Sequence, residues 1–111
     1  MKLLLVIVLS GIFLMMIFVT ARASLAISIW DVWDSYAANP WAVATLYDAY
    51  SGFSIFWMWV AWRERTWGAR LLWFVLIMGL GNIATSLYLL IQLLRLAPEQ
   101  PASAILSRRI V

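Results

Sequence analysis

Cysteine and histidine are both missing from the 111 residues. Disulfides, thiolate nucleophiles and imidazole ligation of haem, zinc or copper are therefore excluded within this chain, as is any catalytic triad that needs a His or a Cys. Charge is scarce too: Asp, Glu, Lys and Arg make up 12% of the residues, about half the share of an ordinary soluble domain. The eight Lys and Arg behind the net charge of +3 are scattered at the ends of apolar segments and in the tail. That is the placement of membrane anchors, not of a nucleic-acid surface, and no nucleic-acid partner is expected.

What is present is apolar. Hydrophobic residues make up 66% of the chain, and mean hydropathy is +0.94. They come in long blocks, not in the short alternating runs of a β-barrel, so helices are the expected way of satisfying the backbone. Three blocks reach the roughly 20 residues that cross a bilayer: residues 3–21, 41–62 and 71–94. The fold class expected is all-α and integral to a membrane, with three transmembrane helices. Lys2 and Ala21-Arg22-Ala23 also resemble the flanks of a signal peptide, but the apolar run is longer than the usual h-region, and an uncleaved signal anchor is the better reading.

Between the first two blocks, residues 25–36 place Leu25, Ile29, Trp30, Trp33 and Tyr36 on one arc and Ser24, Ser28, Asp31 and Ser35 on the other, with Ile27 misplaced near the border. This spacing predicts a short interfacial helix. Asn39-Pro40 then predicts a helix start, because Asn caps well and Pro at the first position loses no needed donor. Residues 63–70 form a short charged connection that forces an antiparallel return. Residues 1–97 read as one membrane domain and 98–111 as a polar, flexible tail. The tryptophans flank the second and third blocks like interfacial belts, Trp57 alone standing clearly inside and facing outward.

The informative residues are the polar ones inside the blocks. Asp48 lies roughly 9 Å into its helix. Thr45, Ser51 and Gly52 share its face within about 60°. In the third block Gly79, Asn82, Thr85, Ser86 and Leu89 share another face. Two small-residue faces predict close helix packing, and an antiparallel hairpin would set Asp48 beside Tyr88, Ser51 beside Thr85 and Ser54 beside Asn82. Tyr88 and Gln92 are then donors to Asp48, and Arg22 is a possible counter-charge. No catalytic, metal-binding or cofactor-binding residue is expected, since one buried acid has neither a nucleophile nor a base beside it.

The segments Asn39-Pro40-Trp41, Asp48-Ala49-Tyr50 and Gly81-Asn82, with Arg70-Leu71-Leu72-Trp73-Phe74 between the last two, resemble a family of small three-helix membrane proteins of unknown function. The resemblance spans about half the chain. It implies that Asp48 and Asn82 belong to the family pattern and that the setting is a bacterial inner (cytoplasmic) membrane. The function expected is that of a non-enzymatic subunit, surrounded by membrane lipids, that forms a homo-oligomer or joins a larger membrane complex through the Asp48 and Asn82 faces. A proton- or cation-linked transporter or channel using Asp48 is the alternative. Lys2, Arg63, Arg65 and Arg70 balance Arg22, Arg95, Arg108 and Arg109 across the membrane, and the three arginines crowded into 63–70 favour a cytoplasmic N-terminus.

Overall fold

The first apolar block forms the longest helix. In the computed structural model, which describes residues 2–96 and 98–106, α1 spans Lys2–Ala26. It is strongly apolar, and by length and composition it can cross a membrane. None of its residues is buried. Helix α2, Ile29–Ala37, begins where the Ser28 side chain accepts from the Trp30 N–H at 3.2 Å. The helix expected over 25–36 is thus split: Leu25 and Ala26 finish α1, and the misfit Ile27 marks the break. Part of the aromatic face of α2 meets protein, because Trp33 and Ala37 line a groove with Val43, Leu46, Tyr47 and Tyr50 of the next helix.

Helix α3, Pro40–Arg63, starts where Asn39-Pro40 predicts, with the Asn39 Oδ1 accepting from the N–H groups of Trp41 and Ala42. Helix α4, Trp67–Leu80, is capped by Thr66 and runs back along α3. The return is fastened by polar side chains. Trp57 Nε1 donates to the Arg70 carbonyl at 2.9 Å, and Arg70 Nε donates to the carbonyls of Ala61 and Glu64 at the end of α3. A guanidinium there satisfies carbonyls that have no partner inside the helix.

The third block is not one helix. It breaks at Gly81 into α4 and α5, Asn82–Leu94. Gly81 has φ +58° and ψ −126°, a backbone conformation open to glycine and costly to side chains. Its N–H closes α4 on the Ile77 carbonyl and its carbonyl opens α5 by accepting from Thr85. The chain reverses there, so Ile77 meets Ala84 and the Trp73 and Tyr88 rings lie 4.9 Å apart. Helix α5 therefore runs in the same direction as α3, with Phe53 at Gly81 and Arg63 beside Gln92.

This reversal overturns the three-span expectation. At about 1.5 Å per residue, α4 and α5 are each about 20 Å long, short of the roughly 30 Å hydrocarbon thickness. Helix α3 has the length, but its tyrosines, tryptophans and Asp48 hold its hydropathy below that of a span. Among the described residues, five α-helices and one 3-10 helix are present and only α1 meets the criteria for a span. The expectations built on three spans are corrected with it: a multi-pass protein of a bacterial inner membrane, membrane lipids as surrounding partner, a defined orientation of the N-terminus, and an oligomer or larger membrane complex that hides polar stripes from lipid.

Three other regions read differently in the fold. Trp59 and Trp73 are not belt residues and Trp57 does not face outward: all three pack on the core of Val60, Ile77, Ala84 and Tyr88, and Arg63 and Arg70 bond to protein. In the tail, Ala102–Leu106 forms a 3-10 helix. Its Ala102 and Ile105 are buried with Leu93, against Leu5, Val6 and Leu9 of α1. Helix α1 packs antiparallel on α5, and Lys2 Nζ donates to the Pro98 carbonyl at 3.3 Å. Residues 107–111, with the Arg108 and Arg109 of the orientation argument, lie outside the described residues.

The reversal yields a paired prediction. A Cβ at Gly81 would stand 2.8 Å from the Phe53 Cζ atom, whereas at Gly79 it would meet nothing within 4 Å. Gly81→Ala should lower unfolding free energy by about 2–3 kcal/mol, through backbone strain and steric conflict. Gly79→Ala, inside α4, should raise it by about 0.5–1 kcal/mol. Chemical denaturation of both variants checks this, and equal effects would rule out the reversal.

Candidate functional site

Two polar groupings stand out in this fold. The first is at the C-terminal ends of α3 and α5, where Arg63, Glu64, Tyr88 and Gln92 are all buried. Tyr88 and Gln92 are four residues apart on α5 and so share a face. Tyr88 donates to Glu64 Oε2 at 2.7 Å. Arg63 Nη1 donates to Gln92 Oε1 at 2.6 Å and its Nε to the Ile105 carbonyl at 2.5 Å, with Glu64 Oε2 3.7 Å from Nη1. Among the described residues no buried side-chain nitrogen or oxygen lacks a hydrogen bond, as a desolvated charged group requires.

This grouping takes the donors expected for Asp48. Tyr88 and Gln92 serve Glu64 and Arg63 instead, because α5 runs with α3 and carries them to its far end. Sequence reasoning missed Arg63 and Glu64, which read as loop charges. The available signal was the Tyr88/Gln92 pair itself, two polar groups on one helical face that need charged partners when buried.

The second grouping is a cleft of about 580 Å³ between α3 and α5, and it gathers Asp48, Gly52, Asn82 and Thr85. Asp48, Gly52 and Asn82 are exposed and form its mouth, while Phe53, Phe56 and Leu89 are half-buried and form its walls. Two wall rings are held in place from behind. Phe53 meets Tyr50 edge-on at 5.3 Å and rests on Gly81, and Phe56 meets Trp59 at 5.5 Å and Tyr88 at 6.1 Å. Thr85 Oγ1 donates to the Asn82 carbonyl and Oδ1, each at 3.3 Å. Among the described residues Asp48 has no hydrogen-bond or ion-pair partner, and Arg22 does not reach it.

The remaining expected residues lie elsewhere. Thr45 donates to the Trp41 carbonyl within its own helix, Ser51 is exposed, and Ser54 bonds to the Tyr50 carbonyl, not to Asn82. Gly52 and Gly79 are not points of close helix approach, since an added Cβ meets nothing within 4 Å at either; Gly81 has that role. Among the described residues no three His, Cys, Asp or Glu side chains gather, so Asp48 is a single carboxylate contact and not a chelating cage.

The buried grouping gives a pH prediction. Burial, then the hydrogen bond and charge of Glu64, push the Tyr88 phenol well above its ordinary 10.0, against the pull of Arg63. The unfolded chain releases this proton near pH 10 while the folded chain keeps it. The stability it contributes is complete below that pH and is lost as pH rises towards the folded value. Unfolding free energy should fall by up to about 1.4 kcal/mol per pH unit above pH 10. Denaturant titrations between about pH 9 and 11 should show this component in the native protein and not in Tyr88→Phe. Parallel pH profiles would contradict it.

Neither a curated protein nor a solved structure matches the chain. A family model does match, over residues 3–109, and its description is "Protein of unknown function (DUF1475)". The match includes Asp48, Gly52, Asn82 and Thr85 as well as the buried grouping. A resemblance to a three-helix membrane family is corrected on its architecture, since five helices are present and one is a candidate span. The chain belongs to the DUF1475 family of proteins of unknown function.

Proposed function

We propose that this chain is a non-enzymatic binding protein whose α3/α5 cleft receives a small amphipathic molecule. The observation that carries the reading is the lining: ordered aromatic walls beneath a mouth of hydrogen-bonding groups, with Gly52 leaving room at the opening. Binding sites for small molecules combine apolar walls with a few placed polar groups in this way. Among the described residues Asp48 is the only titratable one lining the cleft. A lone carboxylate with no second acid beside it, and with the Thr85 proton donated to Asn82, supports recognition over catalysis. The buried Arg63 grouping is a poorer candidate, because its polar atoms are already bonded to one another.

A local reporter is available, since the chain has two asparagines, Asn39 and Asn82, and only Asn82 lines the cleft. Titration with 1-octanol should shift the Asn82 side-chain amide resonance saturably and leave that of Asn39 in place. Gly52→Leu adds bulk at the mouth without meeting a neighbour at its Cβ, and should weaken this binding by about tenfold or more. No saturable shift at Asn82, or equal affinity in Gly52→Leu, would refute the reading.

A further inference from the structure

The charge and hydrogen-bonding character of the cleft specify its occupant more narrowly. Among the described residues Asp48 offers two carboxylate oxygens with no partner, and no cationic side chain lines the cleft. Thr85 spends its proton on Asn82, leaving its oxygen as a further acceptor. Beside the Asn82 amide donors the mouth therefore presents mainly acceptors and one negative charge, and it favours a donor-rich, positively charged head. The walls add to this demand. Phe53 and Phe56 are fixed by edge-to-face contacts and the seat on Gly81, and ordered aromatic faces attract cations as well as apolar bodies.

A metal ion would find one carboxylate, one amide and one hydroxyl, fewer protein oxygens than divalent cations collect in dedicated sites, and it would leave the apolar walls unused. An organic ammonium uses both halves. Resting on the binding reading above, we propose that the α3/α5 cleft selects an alkyl- or arylammonium ion, with Asp48 accepting from the ammonium head and Phe53, Phe56 and Leu89 receiving the apolar body.

Three probes of one chain length separate the possibilities: octylamine, charged near neutral pH, 1-octanol and octanoate. Each is titrated into the full chain at low ionic strength while the Asn82 side-chain amide is followed. Octylamine should bind about tenfold more tightly than 1-octanol, with octanoate weakest. The preference should shrink with added salt, because Asp48 is at the open mouth. In Asp48→Asn the amine-to-alcohol affinity ratio should collapse to about one, with the helical circular dichroism signal reporting that the chain stays folded.

The failures are distinct. Equal binding of octylamine and 1-octanol to the native protein, or tighter binding of octanoate, would overturn the ammonium proposal and leave the binding reading standing. Absence of saturable binding by all three would overturn both. A saturable shift of Asn82 with magnesium or calcium chloride alone, lost in Asp48→Asn, would replace the organic cation with a metal.

Discussion

The reversal at Gly81 is the constraint on which the rest of this structure depends. One residue with positive φ ends α4 and begins α5, and the Phe53 ring occupies the space where a side chain would stand. The arrangement is local in the backbone and tertiary in its support. The ring fills the space a Cβ would take, and without the glycine it could not approach so closely. Folding back lets Trp73 and Ile77 of α4 share a core with Ala84 and Tyr88 of α5.

The direction of α5 decides where each polar residue goes. Running with α3, it carries Asn82 and Thr85 to the level of Gly52 and Phe53, and Tyr88 and Gln92 to the level of Arg63 and Glu64. One helix thus supplies an open grouping at its start and a closed one at its end. The closed grouping is saturated with internal hydrogen bonds and joins α3, α5 and the 3-10 helix through Arg63. Buried charges of this kind add little to stability against an apolar alternative, but removing one partner strands the rest. The open grouping keeps the free carboxylate, and the chemistry available for recognition is concentrated there.

Aromatic residues connect the two. Phe56 touches both Tyr88, which bonds to Glu64, and the cleft. Edge-to-face pairs hold these rings at fixed angles and so stiffen the cleft walls. Tyr50 contributes from the other side, with its ring against Phe53 and its hydroxyl donating to the Met78 carbonyl of α4 at 2.9 Å. The half-buried tryptophans that resembled interfacial belts in the sequence belong to this same internal packing.

Local chemistry was legible in the sequence, and so were the features that depend on it. The mostly helical character follows from long apolar blocks, the start of α3 from Asn39-Pro40, and the antiparallel return of α4 from the shortness of the connection after Arg63. Asp48, Gly52, Asn82 and Thr85 were recognisable as the unusual polar and small residues of their segments, and they line one cleft. Their neighbours were not recognisable, because projection onto a helix assumes that the helix continues. Carried through Gly81, the projection placed Gly79 and Asn82 on one face of one span, and the antiparallel hairpin built on that span set Tyr88 beside Asp48. A glycine within an apolar run fits equally a close helix contact and a reversal, and its own sequence neighbours do not choose between them. The choice was made by Phe53, 28 residues earlier, whose ring fills the site only when α4 and α5 fold back against α3. Tertiary packing therefore decided the number of candidate spans, the partner of every buried charge and the shape of the cleft.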